Sequence, residues 1–141
     1  MEPRRVPPEE ARDLVEKEGY VYVDVRSVPE FEQGHPTGAY NVPLLHMGPG
    51  GMTPNPDFTS VMEKSFPKDA KLVVGCKAGG RSLRAASMLL AVGFADVVDQ
   101  RCGFEGSPNP AGGVDPGWRP RGLPVSKSAS ADHSYEGLRS K

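Results

Sequence analysis

Lys71-Leu72-Val73-Val74-Gly75-Cys76-Lys77-Ala78-Gly79-Gly80-Arg81-Ser82-Leu83 is the stretch on which the fold turns. Lys71 to Gly75 is a short, apolar, β-branched run and predicts a buried strand. From Arg81 to Val92 the apolar residues predict a helix, with Gly93 as its stop. Strand, Cys76, four small or basic residues, Arg81 and helix follow in that order.

Upstream, Tyr20-Val21-Tyr22-Val23-Asp24-Val25 is apolar on nearly both faces, which suits a central parallel strand covered by helices on each side. Its polar end, Asp24 and Arg26, lies at the carboxyl edge of the sheet, where open α/β sheets bind ligands. Before it, Ala11, Leu14 and Val15 share a helical face between Pro7-Pro8-Glu9-Glu10 and Gly19. Pro29-Glu30-Phe31-Glu32 predicts one helical turn, and a short strand is expected near Ala39-Tyr40-Asn41-Val42. Gly48-Pro49-Gly50-Gly51, with Pro54 and Pro56, reads as a loop. Asp57 is placed to cap a helix carrying Phe58, Val61 and Met62, and Ala95-Asp96-Val97-Val98 predicts one more strand.

Residues 105–122 hold five Gly and four Pro and are expected to be irregular, with Val114 and Trp118 as anchors. Leu123-Pro124-Val125 is placed to return to the core. Residues 4–125 thus form one domain, and Ser126 to Lys141, Ser-rich with few apolar residues, is expected to be disordered.

A chain of 141 residues fits one domain, and 37% hydrophobic with 25% charged residues implies a modest core between rigid loops. The net charge of −1 supplies no basic field for nucleic acid and no polybasic patch for a membrane surface. No run approaches the roughly 20 apolar residues of a membrane helix, so the reading is cytoplasmic. Cys76 and Cys102 are too few for a disulfide framework and lack zinc spacing, and no metal is expected.

The chemistry is expected at Cys76. A tight loop containing Gly79-Gly80 can turn successive N–H groups inward, and the helix beginning near Arg81 adds its positive end to the same place. Taken alone, Gly79-Gly80 fits an ordinary βα turn as well as an anion nest. Beside such donors, and flanked by Lys77 and Arg81, the sulfur is expected as a reachable thiolate at neutral pH. Arg81 can hold an oxyanion through its planar fork while Lys77 acts as a mobile point charge. An anionic donor fits that rim.

At these residues the sequence resembles the rhodanese family, specifically its single-domain thiosulfate sulfurtransferases. The likeness runs from about Val6 to Val125. It includes Tyr22-Val23-Asp24-Val25-Arg26, Glu30-Phe31, the block from Gly34-His35-Pro36-Thr37 to Asn41-Val42-Pro43, the loop from Cys76 to Ser82, and Gly122-Leu123-Pro124-Val125. The resemblance implies a doubly wound parallel sheet with helices on both faces. It implies sulfane sulfur carried as a persulfide on Cys76, from thiosulfate or a similar anionic donor to cyanide or a thiol.

By the same resemblance Cys76 and Arg81 are catalytic, while Lys77, Ala78, Gly79, Gly80 and Ser82 bind the donor, without metal or organic cofactor. The family's phosphatase relatives enclose a larger anion with five residues between Cys and Arg. Here there are four, which favours sulfur. Two other readings share the architecture, namely a non-enzymatic binding or sulfide-sensing module and an arsenate- or phosphate-directed relative.

Several residues carry two readings. Asp24 and Arg26 either support the Cys76 loop or form a buried ion pair, or both. Glu30 and His35 are read as loop support, and His46 and His133 as loop and tail residues. Cys102 stands where the family has glycine before an aromatic residue, and is either a resolving thiol or a substituted glycine. Trp118 is either a lid or a packing anchor, and Tyr135 with Leu138 either forms a docking motif or has no role.

Overall fold

The computed structural model describes residues 3–78, 80–128 and 131–140. In chain order its elements begin with β1 (Arg4–Val6), α1 (Pro8–Lys17), β2 (Val21–Asp24), α2 (Val28–Glu32), β3 (His35–Pro36), β4 (Tyr40–Asn41), β5 (Leu45–Gly48) and β6 (Gly51–Pro54). They continue with α3 (Phe58–Ser65), β7 (Lys71–Gly75), α4 (Gly80–Ala91), β8 (Asp96–Gln100), β9 (Gly106–Pro108), β10 (Val114–Pro116), β11 (Val125–Ser126) and α5 (Tyr135–Arg139).

Five strands form one sheet in the order β1-β8-β7-β2-β4, with every pairing parallel. Central β7 sets Val73 opposite Tyr22 on one side and Val98 on the other. Because successive strand residues face opposite ways, Leu72, Val74, Val23 and Val97 pack with Met62 of α3, Leu89 of α4 and Leu138 of α5. Val73, Tyr22 and Val98 pack instead with Ala11 and Leu14 of α1, Phe31 and Trp118. Both faces are covered, so the sheet is the doubly wound one expected.

Asp24 and Gly75 stand side by side at the carboxyl edge. The chain passes from there into Cys76 and α4.

Four local expectations are corrected. The Gly48 to Gly51 segment is the tip of an antiparallel hairpin, with Leu45 paired to Pro54 and Gly48 to Gly51. Asp57 occupies the N-cap of α3, but its side chain caps nothing. Its own N–H is instead held 3.0 Å from Oδ1 of Asn55.

Residues 105–122 contain the hairpin β9–β10, whose turn is organised by Asn109, with Oδ1 accepting from the amides of Ala111 and Gly113. Val114 is 65% exposed and anchors nothing. Trp118 is the anchor, buried edge-on against Tyr22 with its indole N–H donating to the Pro124 carbonyl at 2.7 Å. Leu123 returns to that core, and Val125 pairs with Pro36 of β3.

The tail is the largest correction. The Ser134 hydroxyl accepts from the Gly137 amide to start α5, whose Tyr135 and Leu138 are buried against α3 and the sheet. The Tyr135 hydroxyl also meets Nδ2 of Asn55 at 3.1 Å, and His133 stacks on Tyr40. Two apolar residues three apart make one face of a short helix, and so brief a pattern does not stand out from Ser-rich surroundings. Ala129 and Ser130 lie outside the described residues.

Candidate active site

Cys76 is held by its backbone from two sides. Its carbonyl accepts from the Phe104 amide at 2.7 Å, and the Lys77 carbonyl accepts from the Glu105 amide at 3.0 Å. Gly103, at φ +66°, lies so close that an added Cβ would be 2.3 Å from the Lys77 oxygen. On the strand side, the Tyr22 hydroxyl would be 1.8 Å from a Cβ at Gly75. Both glycines are therefore demanded by close approach of the chain that sets the cysteine.

The Cys76 side chain points toward the α3–α4 core face, and the residue is 2% exposed. A reachable sulfur was expected. Instead the residue is buried in that core cluster, while its neighbours Lys77 and Ala78 are exposed. Sγ is 3.5 Å from the Ser82 hydroxyl, which donates to Oδ1 of Asp99 on β8. Burial pushes the Asp99 carboxyl up, against the lowering effect of hydrogen bonds from Ser82 and Arg5.

Helix α4 begins at Gly80, one residue before the expected start. Lys77, Ala78, Gly80, Arg81 and Ser82 all lie in the turn and first helical residues after Cys76, and Gly79 lies outside the described residues. Arg81 makes a two-pronged ion pair with Glu30, at 2.8 Å from Nη1 to Oε1 and 3.0 Å from Nη2 to Oε2. Glu30 in turn accepts from the Ser27 amide and hydroxyl, closing the capping box of α2. Burial opposes its charge, but the bonds from Arg81 and Ser27 outweigh burial and hold the carboxyl at about 2. The arginine proposed to bind oxyanions is thus also the tie between α2 and α4, 51 residues apart in sequence.

Asp24 and Arg26 form a buried ion pair. The Arg26 guanidinium also donates to the Gly34 carbonyl at 2.6 Å and lies 4.3 Å over the Phe104 ring. Among the described residues the side-chain hydrogen bonds of this pair do not reach the 77–82 segment; the pair adjoins the loop at Gly75, beside Asp24, and at Phe104, whose amide donates to the Cys76 carbonyl. The His35 ring stacks on Phe31 and its nitrogens meet the carbonyls of Phe31 and Ser128, so among the described residues its hydrogen bonds do not go to the loop. The His46 ring lies 5.6 Å from that of Tyr135. A cavity of about 220 Å³ beside the loop is lined by Arg26, Glu30, Lys77, Phe104, Glu105 and Arg119, among others.

Cys102 adopts φ +73°, the sole non-glycine with positive φ among the described residues, so the chain there does follow a glycine-like path. Its sulfur sits 3.5 Å from Nη1 of Arg101 and 3.9 Å from Nη2 of Arg121, and neither cysteine is in a disulfide. Sequence reading passed over Asp99 and the partnership of Glu30 with Arg81. The available signal for Asp99 was a carboxylate inside the apolar run Val97-Val98-Asp99 at the ligand edge.

Comparison with known proteins agrees with this geometry. The chain is 39% identical over 107 residues to Thiosulfate sulfurtransferase 16, chloroplastic, of Arabidopsis thaliana, covering 76% of this chain and 80% of that protein. It is 36% identical over 102 residues to Thiosulfate sulfurtransferase GlpE of Pseudomonas fluorescens (strain SBW25), covering 72% and 82%. The crystal structure of Rv0390 from M. tuberculosis superposes with a TM-score of 0.75 at 26% identity, covering 91% of this chain and all of that one. The Rhodanese-like domain profile matches residues 7–107, and with the parallel sheet and the Cys76 loop at its carboxyl edge, the chain belongs to the rhodanese-like family.

Proposed function

We propose that the protein is a thiosulfate sulfurtransferase that moves sulfane sulfur to a thiophilic acceptor through a persulfide on Cys76. Sulfurtransferase activity in general is supported by relatives that carry that name. The observation that carries the finer reading is the position of Cys76 between the carboxyl end of the central strand and the first turn of α4, with Lys77 and Arg81 beside it.

In the first step the Cys76 thiolate attacks the outer sulfur of thiosulfate. The new S–S bond forms as the old one breaks, and sulfite leaves with the electron pair. In the second step cyanide or a thiolate attacks the outer sulfur, and Cys76 departs again as thiolate. Negative charge sits on sulfur throughout, so donors and cations beside it stabilise both states. Lys77 meets the anionic donor at the mouth, and Arg81 retains N–H donors beyond the two given to Glu30. Ala78 and Gly80 supply backbone amides, and Ser82 a hydroxyl beside the sulfur. Asp24 and Arg26 brace the Phe104 side of the loop.

Thiols as acceptors fit a reducing compartment such as the cytoplasm. Among the described residues no helix is long and apolar enough to cross a membrane. Intact-mass measurement after incubation with thiosulfate tests the reading. The expected result is a gain of one sulfur atom that cyanide removes and that Cys76→Ser abolishes. Protein that gains no sulfur, or gains it equally after the substitution, refutes the assignment.

A further inference from the structure

Beneath Cys76 runs a line of polar groups whose far members, Asp99 and Arg5, the two sulfur-transfer steps leave unused. Sγ lies 3.5 Å from the Ser82 hydroxyl, that hydroxyl donates to Oδ1 of Asp99, and Oδ2 of Asp99 accepts from Nε of Arg5 at 2.7 Å. Ser82 and Asp99 are fully buried, whereas Arg5 on edge strand β1 is partly exposed, beside a surface cavity that it lines with Leu83 and Ser87.

A serine hydroxyl carries one hydrogen and two lone pairs. While its hydrogen points at Asp99, Ser82 turns lone pairs toward Sγ, an arrangement that suits S–H and opposes a bare thiolate. The nucleophile of the reaction proposed above is nevertheless a thiolate. One rearrangement within the same three residues reconciles the two.

We propose that Asp99 is a positioning residue that receives the Cys76 proton through Ser82, an inference that rests on the sulfurtransferase reading for its need of a thiolate. The S–H bond breaks and its proton joins Ser82 Oγ, while the original Ser82 O–H bond breaks and its proton joins Oδ1 of Asp99. The products are a thiolate that accepts a hydrogen bond from Ser82 and a neutral carboxylic acid that donates to Ser82. No net charge is created, because negative charge moves from carboxylate to sulfur. In the persulfide state the same Ser82 hydrogen bond remains available to the sulfur.

The surroundings favour this exchange. Burial raises the Asp99 carboxyl toward the neutral form despite its bonds to Ser82 and Arg5. Arg5, facing it from β1, is partly exposed and keeps water when its partner is neutral. Tyr22, facing from β2, is held in its neutral form by burial and donates to Gln100. Nearby Arg26 is matched by Asp24, and Arg81 on α4 by Glu30.

The test reads the proton at Cys76 without any sulfur transfer. Alkylation of Cys76 by iodoacetamide is followed by peptide mass from about pH 4 to about pH 9 in the wild type, Asp99→Asn and Ser82→Ala. Two coupled acids lose their protons in two macroscopic steps, so the wild-type rate is expected to rise twice with a plateau between. Each variant is expected to show one step, its rate falling about tenfold per pH unit below that step where the wild type holds its plateau. A single-step profile in the wild type, or a two-step profile that survives in either folded variant, overturns the inference. Ser82→Ala keeps the test decisive if Asp99→Asn fails to fold. Failure of the sulfurtransferase reading appears separately, as no sulfur gained from thiosulfate.

Discussion

Replacing Glu30 with Gln removes the charge that ties Arg81 to α2 and leaves the shape of the side chain almost unchanged. In the folded protein the Glu30 carboxyl is held at about 2, against an ordinary 4.5. A group whose folded value is depressed contributes stability above its unfolded value and loses it as the pH falls toward the folded one. The contribution is therefore complete at neutral pH, begins to fade near pH 5, and is more than half gone at pH 3. Taken at face value the shift is worth about 3 kcal/mol. Both partners are partly exposed, and solvent screening brings the expected figure to about 1–2 kcal/mol, of which about 1 kcal/mol disappears between pH 7 and pH 3.

Urea unfolding of the wild type and Glu30→Gln at those two pH values measures this directly. The wild type is expected to lose about 1 kcal/mol more than the variant on acidification, the variant being the less stable at pH 7 by about 1–2 kcal/mol. Equal acid losses in the two proteins would show that Glu30 does not carry the ion pair in solution. The tie would then not be what orients the first turn of α4 beside Cys76.

Gly75→Ala is expected to destabilise by about 2–4 kcal/mol, because the new methyl overlaps the Tyr22 hydroxyl and breaks its bond to Gln100. A melting temperature equal to that of the wild type would contradict the packing beneath the cysteine. Leu138→Ala is expected to cost about 2–5 kcal/mol, the usual range for truncating a buried leucine, since this side chain is 1% exposed. A loss below about 0.5 kcal/mol in chemical denaturation, the level of a surface change, would mean that α5 is not docked.

What the sequence determined by itself was whatever rests on neighbours along the chain. The apolar run from Lys71 to Gly75, the turn at Cys76 and the helix after it are local patterns, and they placed the cysteine at the carboxyl edge of a parallel sheet. Tyr20 to Val25 announced a doubly covered strand for the same reason. Tertiary structure alone decided which distant groups meet. Glu30 holds Arg81 across 51 residues, Asp99 reaches Ser82 across 17, and Tyr135 and Leu138 close the core from a stretch too short and too Ser-rich to show a period. It also decided that Cys76 is buried in the core cluster, and that the chain at Gly103 passes close against Lys77. Periodicity records which way a side chain faces relative to its own element, whereas its partner is set by how the elements pack together.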